Sequence, residues 1–382
     1  MSKKRNNIAI VSVTNDLIAD HRVHKTCLLL GEMNYDVTLV GRKLNTSFHV
    51  NRNYKTKRFK LFFNKKFLFY AEYNIRLFVF LLFKKADLLV SNDLDTLPAN
   101  FIASKIKRVP LIYDSHEYFT EVPELIKRQR IKKIWQYIEK KIVTRLNFGI
   151  TVNESIAEIY TNKYNIPFYA IKNVPSINNL TNNFDKTVSL PFSDELKYIL
   201  LYQGSLNIGR GLEKLIKAMK LLNNRYVLFI IGIGDIENEL KKKVKTHNLS
   251  DRIIFFGKIP FENLKQITAK AHLGFSIEEN LGLNYYYALP NKIFDYIHAE
   301  VPIICSDFPE MKKIIETYNI GISVSVKDEY HLAELINNAL SNKEQYLFWK
   351  ENCKIAKKEL NWEIEKEKLK KIIEKHIILK NK

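Results

Sequence analysis

The sequence predicts an α/β protein made of two doubly wound domains in tandem. Three observations predict it. The 382 residues are more than twice the length of an average domain of about 150. Short apolar runs bounded by turn residues alternate with longer helical stretches along most of the chain, the pattern of parallel βαβ units. The alternation breaks once, at NVPSINNLTNNFDKTVSLPFSDELK, which is rich in Asn, Ser, Thr and Pro and reads as linker. The expected organisation is a Rossmann-like domain over 1–175, a linker over 176–196, a second Rossmann-like domain over 197–360 and a charged C-terminal helix over 361–382.

In the first domain the apolar runs at 8–13, 36–40, 88–91, 111–114, 149–152 and 169–171 read as strands. Between them, 23–33, 67–83, 97–105, 131–144 and 154–164 read as helices. The second domain repeats the pattern, with strands at 198–202, 226–231, 253–256, 273–277, 302–305 and 321–324. Its helices are expected at 212–222, 237–247, 262–269, 292–299, 311–317, 331–340 and 346–360.

A hydrophobic fraction of 46% with 12% aromatics is enough to build cores and excludes a disordered chain. Cys27, Cys305 and Cys353 are odd in number and far apart. They form neither a disulfide framework nor a zinc motif, which points to a reducing compartment. The formal net charge is +20, and residues 1–190 carry +15 of it. The stretch 52–85 holds ten basic residues and one acid, and 127–145 holds eight and one, both interleaved with aromatic and aliphatic residues. Such a surface attracts nucleic acid, anionic lipid or a phosphorylated substrate; a solvated basic face accounts for it equally well.

No secretory leader is expected, because the apolar run at 8–13 is short and lacks a small-residue cleavage site. The run 67–83 contains Glu72, Asn74 and Arg76 and falls short of the ~20 residues a membrane span needs. It reads as a core helix, with a helix lying on a membrane surface as the alternative.

In doubly wound sheets ligands lie beyond the carboxyl ends of the strands, so the residues after each strand are the candidates. After 198–202 comes Gln203-Gly204-Ser205-Leu206-Asn207-Ile208-Gly209-Arg210-Gly211. Its amides suit an anion and Arg210 suits a phosphate, although an ordinary turn has the same composition. After 226–231 comes Gly232-Ile233-Gly234-Asp235-Ile236-Glu237. A dinucleotide fingerprint wants Gly at 237 and no acid beside a pyrophosphate, so this reads as a turn with Asp235 near a helix cap, and a nicotinamide enzyme is disfavoured.

Asp93 and Asp95 form an Asp-x-Asp that can hold a metal carrying a nucleotide diphosphate, but helix capping explains it as well. His116 follows the strand at 111–114 among carboxylates and can bond a sugar hydroxyl or act as a base. Lys292 and Asp295 lie three apart on one helical face, suited to a surface ion pair or to a ligand bearing both phosphate and ribose.

With YDSHEYFTEVPEL, ITVNESIAEIY followed by IKNVP, YQGSLNIGRGLEKLIKAM and ALPNKIFDYIHAEVPIICSDFPE in this order, the chain resembles, nearly end to end, the retaining glycosyltransferases of family 4 (glycosyl transferases group 1). The resemblance implies the GT-B fold, two Rossmann-like domains facing across a cleft, with a C-terminal helix crossing back to the first. It implies a donor nucleotide-diphosphate sugar, carrying UDP or GDP, in the second domain. A glycan or lipid-linked glycan acceptor would sit in the first, for a bacterial surface polysaccharide such as lipopolysaccharide or capsule. By motif match, Arg210 falls on the diphosphate, Gly204 and Ser205 at the close-approach turn, and Gly257, Lys258 and Ile259 at the base. Asn291 and Lys292 fall at the phosphate and Asp295 on the ribose hydroxyls. Asp16, His116 and Glu117 fall on the acceptor side, with His116 approaching the transferred sugar. His116, Arg210 and Lys292 are then the catalytic set.

The resemblance implies no metal and no cofactor besides the donor, and no nucleic-acid partner is expected. It implies a cytoplasmic enzyme at the inner face of the plasma membrane, with 52–85 and 127–145 on anionic headgroups. Three positions depart from the family pattern. Ser205 stands where an Arg follows the strand-end Gly, Tyr287 stands in place of the first acid eight residues before Asp295, and Glu300 replaces the Gly before Val-Pro. Glu278 and Glu279 are the nearest substitutes for the missing acid. Two rival classes are a nucleotide-sugar epimerase of similar fold and a basic nucleic-acid-binding protein, the latter without any recognisable motif.

Overall fold

The structure, a computed structural model, describes residues 7–18, 20–44, 47, 49–126, 128–177 and 197–378. It divides into two compact units, Met1–Asn173 with Lys366–Lys382, and Val174–Glu365. Most of the expected linker, 178–196, lies outside the described residues. Each unit is built on one sheet whose strand pairs are all parallel.

The sheet of unit 1 contains β1 (Asn7–Asp16), β2 (Tyr35–Lys43), β3 (Lys55–Lys60), β4 (Leu88–Asn92), β5 (Leu111–Ser115), β6 (Gly149–Thr151) and β7 (Phe168–Ala170), in the order β3-β2-β1-β4-β5-β6-β7. The sequence reading missed β3. Lys-Thr-Lys-Arg-Phe-Lys has no apolar run, only Phe59 of it is buried, and it sits at the sheet edge, where charges guard an exposed strand. Three helices matter below: α1 (His21–Glu32), α2 (Lys66–Phe83) and α3 (Leu97–Lys107).

The helix α2 buries Phe69, Tyr73, Leu77 and Leu81, every fourth residue, against Ile10, Val40 and Leu89 of the sheet. Full burial of such side chains contributes about 1.5–3 kcal/mol each. The Tyr73 hydroxyl donates to the Val13 carbonyl at 2.6 Å, so its polar end is satisfied. The opposite face of α2 leaves Leu68, Ile75, Val79 and Phe83 exposed. Among the described residues no helix is long and apolar enough to cross a membrane.

The C-terminal residues complete unit 1. Lys366 pairs with Glu32 at 3.1 Å, and His376 stacks on Phe148 with centroids 4.4 Å apart and bonds the Tyr169 hydroxyl at 2.9 Å.

The sheet of unit 2 contains β8 (Tyr198–Gln203), β9 (Tyr226–Ile231), β10 (Ile253–Gly257), β11 (Leu273–Ser276), β12 (Ile303–Cys305) and β13 (Gly321–Ser323), in the order β10-β9-β8-β11-β12-β13. Successive side chains of β9 point to opposite faces: Leu228 and Ile230 enter one core, Val227, Phe229 and Ile231 the other. A strand buried on both sides explains why these segments read as unbroken apolar runs. In both sheets the order reverses at the first strand, between β1 and β4 and between β8 and β11. That reversal is where a doubly wound sheet opens a ligand crevice.

Candidate functional site

In unit 2 the loop after β8 and the end of β11 meet at the switch point around one carboxylate. Glu278, two residues beyond β11, is fully buried and accepts from Lys292 Nζ at 3.0 Å, Arg210 Nη1 at 3.4 Å and Ser276 Oγ at 2.8 Å. Burial would raise its pKa, but Lys292 and Arg210 outweigh that and hold it below the usual carboxylate value. Two cations on one anion leave a net positive cluster. Arg210 is the more accessible, its side chain 22% exposed, and it lies over the Tyr285 ring at 4.6 Å. Lys292 is 8% exposed and stands 4.1 Å from the centre of the Tyr202 ring.

Backbone geometry keeps this site open. Gly204 has φ 132°, and the nearest atoms a Cβ there would meet are those of Lys292 and the Tyr202 hydroxyl, at 3.6–3.9 Å. The backbone at Gly204 therefore lies directly beside the Lys292 amine. At the neighbouring strand end, a Cβ on Gly232 would lie 1.8 Å from the Gly204 carbonyl oxygen, so that position admits only glycine. The Gly232 amide in turn donates to the Gly257 carbonyl at 2.9 Å. The ends of β8, β9 and β10 are thus stitched into one rim. Lys258 is exposed on it, and Ile259 packs partly into the core below.

The remaining predicted donor residues separate into two groups. Asp295 does not pair with Lys292; it accepts from the Gln203 side chain at 2.8 Å, while Gln203 accepts from Thr268 at 2.8 Å. Asp295 is thereby fixed to the end of β8, on the same rim. Ser205 contributes its carbonyl to the Tyr202 hydroxyl at 2.7 Å, and Asn291 opens the helix Asn291–His298. Glu279 takes no part in the cluster: its amide bonds the Gly209 carbonyl at 2.8 Å, and its carboxylate lies 3.7 Å from Lys214.

In unit 1 the ends of β4 and β5 gather carboxylates around one imidazole. His116 Nδ1 lies 3.5 Å from Asp93 and 4.0 Å from Asp20, and Nε2 lies 3.2 Å from the Asn92 side-chain oxygen and 3.6 Å from Asp114. Its backbone amide also donates to Asp93 at 2.8 Å. Burial would lower the His116 pKa, but Asp93, Asp114 and Asp20 outweigh it and raise the value to about 9. The carboxylates around the ring favour its protonated form, which suits it to hydrogen-bond donation.

Asp114 is held by Arg22 in a bidentate pair of 2.7 and 3.0 Å, and Arg22 also donates to the Ile171 carbonyl at 2.6 Å. Although burial would raise it, Arg22 and His116 keep the Asp114 carboxyl far below the usual range. Asp93 and Asp95 do not cap the helix, contrary to the sequence reading. Asp93 ties down His116, and Asp95 accepts from Thr14 at 2.6 Å. Burial, with Asp93 adding to it, lifts Asp95 to about 7.

Asp16 stands apart from this cluster, bonded to Ser47 and 4.0 Å from Arg58. Glu117 offers its carbonyl to Ser115 at 2.8 Å. Among the described residues, no group of three His, Cys, Asp or Glu side chains is arranged to hold a metal ion.

Arg22 and Asp20 were missed in the sequence. The available signal was a charged residue, Arg22, on the inward stripe of a helix that buries Val23, Thr26, Leu29 and Leu30.

Residues 186–355 match the family model described as glycosyl transferases group 1. The O-antigen chain mannosyltransferase RfbU of Salmonella typhimurium is 23% identical over 212 residues, 54% of this chain and 55% of that protein. The chain thus spans about half the length of the curated relative it matches. Three solved structures align over almost all of the chain. Sucrose-phosphate synthase from Thermosynechococcus elongatus has a TM-score of 0.75 at 17% identity, covering 97% of this chain and 99% of that one. HepE of Anabaena in complex with UDP-glucose has 0.69 at 14%, covering 96% and 99%. WaaG, a glycosyltransferase involved in lipopolysaccharide biosynthesis, has 0.67 at 14%, covering 96% and 99%. The structural matches show the two-domain GT-B fold.

Proposed function

We propose that the chain is a retaining glycosyltransferase of family 4. It moves a sugar from a UDP- or GDP-sugar to a glycan or lipid-linked glycan in bacterial surface polysaccharide synthesis, and it needs no metal. The observation that carries the reading is the Glu278–Arg210–Lys292 cluster at the switch point of the sheet that the family match covers. When a nucleotide diphosphate departs from the anomeric carbon, negative charge grows on its phosphate. Arg210, held by Glu278, is placed to meet that charge without rearranging, which is the most effective form of electrostatic stabilisation. Lys292 adds a second positive charge beneath Gly204. Asp295, fixed by Gln203, takes the ribose hydroxyls, and the rim at Gly257, Lys258 and Ile259 takes the base.

In unit 1, His116 donates to the transferred sugar and does not act as nucleophile. In a front-face reaction the acceptor hydroxyl bonds the anomeric carbon as the glycosidic phosphate bond breaks, and its proton passes to the leaving phosphate. Glu278 fills the place of the missing first acid, and Glu279 does not.

The enzyme works at the inner face of the membrane, with its basic segments on anionic headgroups. Support for this comes from the exposed apolar face of α2 and from the similarity to RfbU, an O-antigen chain mannosyltransferase, and WaaG, a glycosyltransferase involved in lipopolysaccharide biosynthesis. Thermal denaturation with UDP-, GDP- and ADP-sugars tests the donor reading, since a bound donor stabilises the folded state. A rise with UDP- or GDP-sugar is expected, and no rise with any of the three would overturn it.

A further inference from the structure

At the other end of the unit 1 strands lies a cavity of about 330 Å³. Lys105, Arg108, Arg145 and His376 line it together with the apolar Phe101, Leu146 and Ile377, and among the described residues no Asp or Glu does. Its walls come from residues just before β5 and just before β6. His116 follows the opposite end of β5, about 15 Å away along five residues of strand. The cavity is therefore separate from the His116 cluster.

Its charge is not cancelled locally. Lys105 lies over the Phe101 ring at 5.4 Å, Arg145 donates to the Lys141 carbonyl, and none of the three cations meets a carboxylate among the described residues. Two helices end beside the cavity, α3 and Gln129–Val143. Each helix end contributes about half a negative charge, so three cations leave an excess of roughly two positive charges. Beside it, Ile102 and Ile106 on α3 are exposed, as are Ile75, Val79 and Phe83 on α2, which packs against α3. A cationic pocket with apolar side chains in its lining and exposed isoleucines on the same helix matches a phosphate ester carried on a hydrocarbon body.

We infer that this cavity binds the glycerophosphate headgroup of an anionic phospholipid, an inference that rests on the membrane reading above. Lys105, Arg108 and Arg145 meet the phosphate, while Ile102 and Ile106 rest among the first acyl carbons.

The test compares the wild type, Lys105→Gln/Arg145→Gln, and a control of equal charge loss, Lys242→Gln/Lys245→Gln, whose exposed residues lie in unit 2 and do not line the cavity. Circular dichroism checks that each variant is folded. With soluble glycerol phosphate, a rise in melting temperature is expected for the wild type and the control and not for K105Q/R145Q. On vesicles of phosphatidylcholine with phosphatidylglycerol, K105Q/R145Q should bind about thirtyfold more weakly than the wild type, the equivalent of ~1 kcal/mol per residue. On phosphatidylcholine alone no binding is expected. If the glycerol phosphate shift is absent, or equal in both variants, the cavity assignment fails, while vesicle binding by the wild type still upholds the membrane reading. If the shift depends on the cavity but no protein binds anionic vesicles, both the lipid assignment and the membrane reading fall.

Discussion

The two strand-end clusters are built with opposite charge. Unit 1, which holds most of the chain's positive charge, surrounds one imidazolium with Asp20, Asp93 and Asp114. Unit 2, much nearer neutrality, surrounds one buried carboxylate with Arg210 and Lys292. Net charge therefore describes the outer surface and not the site. The unit 1 site inverts the charge of its unit, and in both sites a buried charged group needs a counter-charge to stay ionised. The two clusters also differ in rigidity. Asp114 is clamped by a bidentate Arg22 backed by a backbone carbonyl, whereas Glu278 is shared between two separate donors, one of them 22% exposed.

The sharpest way to break the comparison is to remove the central charge on each side. Arg22→Met should lower unfolding free energy by about 3–5 kcal/mol, because it leaves buried Asp114 to share a single imidazolium with Asp20 and Asp93. Glu278→Gln should cost less, about 2–3 kcal/mol, since Arg210 can turn toward water. Urea titration of both variants checks the order; a costlier Glu278 change would mean that the shared cluster is the more rigid one.

Arg210→Ala should reduce sugar transfer at least ~100-fold, the scale of losing one charge-stabilising donor, with little loss of stability. Near-normal turnover would remove Arg210 from that role.

The pH response separates the clusters next. His116 has its folded-state pKa raised to about 9 from an ordinary 6.5. Its stabilisation is complete below about 6.5 and is lost as pH rises through about 9. The wild type should therefore lose stability across that window, and His116→Gln should lose less; parallel profiles would show that the imidazole is not held protonated. As the small end of the scale, Lys357→Ala, which removes a partly buried pair with Glu300, should change stability by about 1 kcal/mol or less.

Much of the fold was legible in the sequence because parallel strands buried on both faces leave unbroken apolar runs, as at β4 and β9. The edge strand β3 was not, because its pattern is set by exposure and not by burial. For the site, positions after strands could be read and pairings could not. Arg210 and Lys292 were identified singly, yet what unites them is Glu278, 68 residues from one and 14 from the other. Lys292 and Asp295, three apart and opposite in charge, looked like a pair and are not one. Each has a nearer partner supplied by a different strand end. Arg22 and Asp114 lie 92 residues apart, and only the sheet order β1-β4-β5 brings them together.

Unit 1 is assembled from two separated stretches of chain, with Lys366–Lys382 belonging to it and the whole of unit 2 emerging in between. On the ribosome, then, unit 2 is complete before unit 1 is. Until Phe148 and Tyr169 receive His376, the edge of the first sheet waits uncovered. The last contacts of the first unit, those of His376 with Phe148 and Tyr169, are therefore available only after all of the second unit has been synthesised.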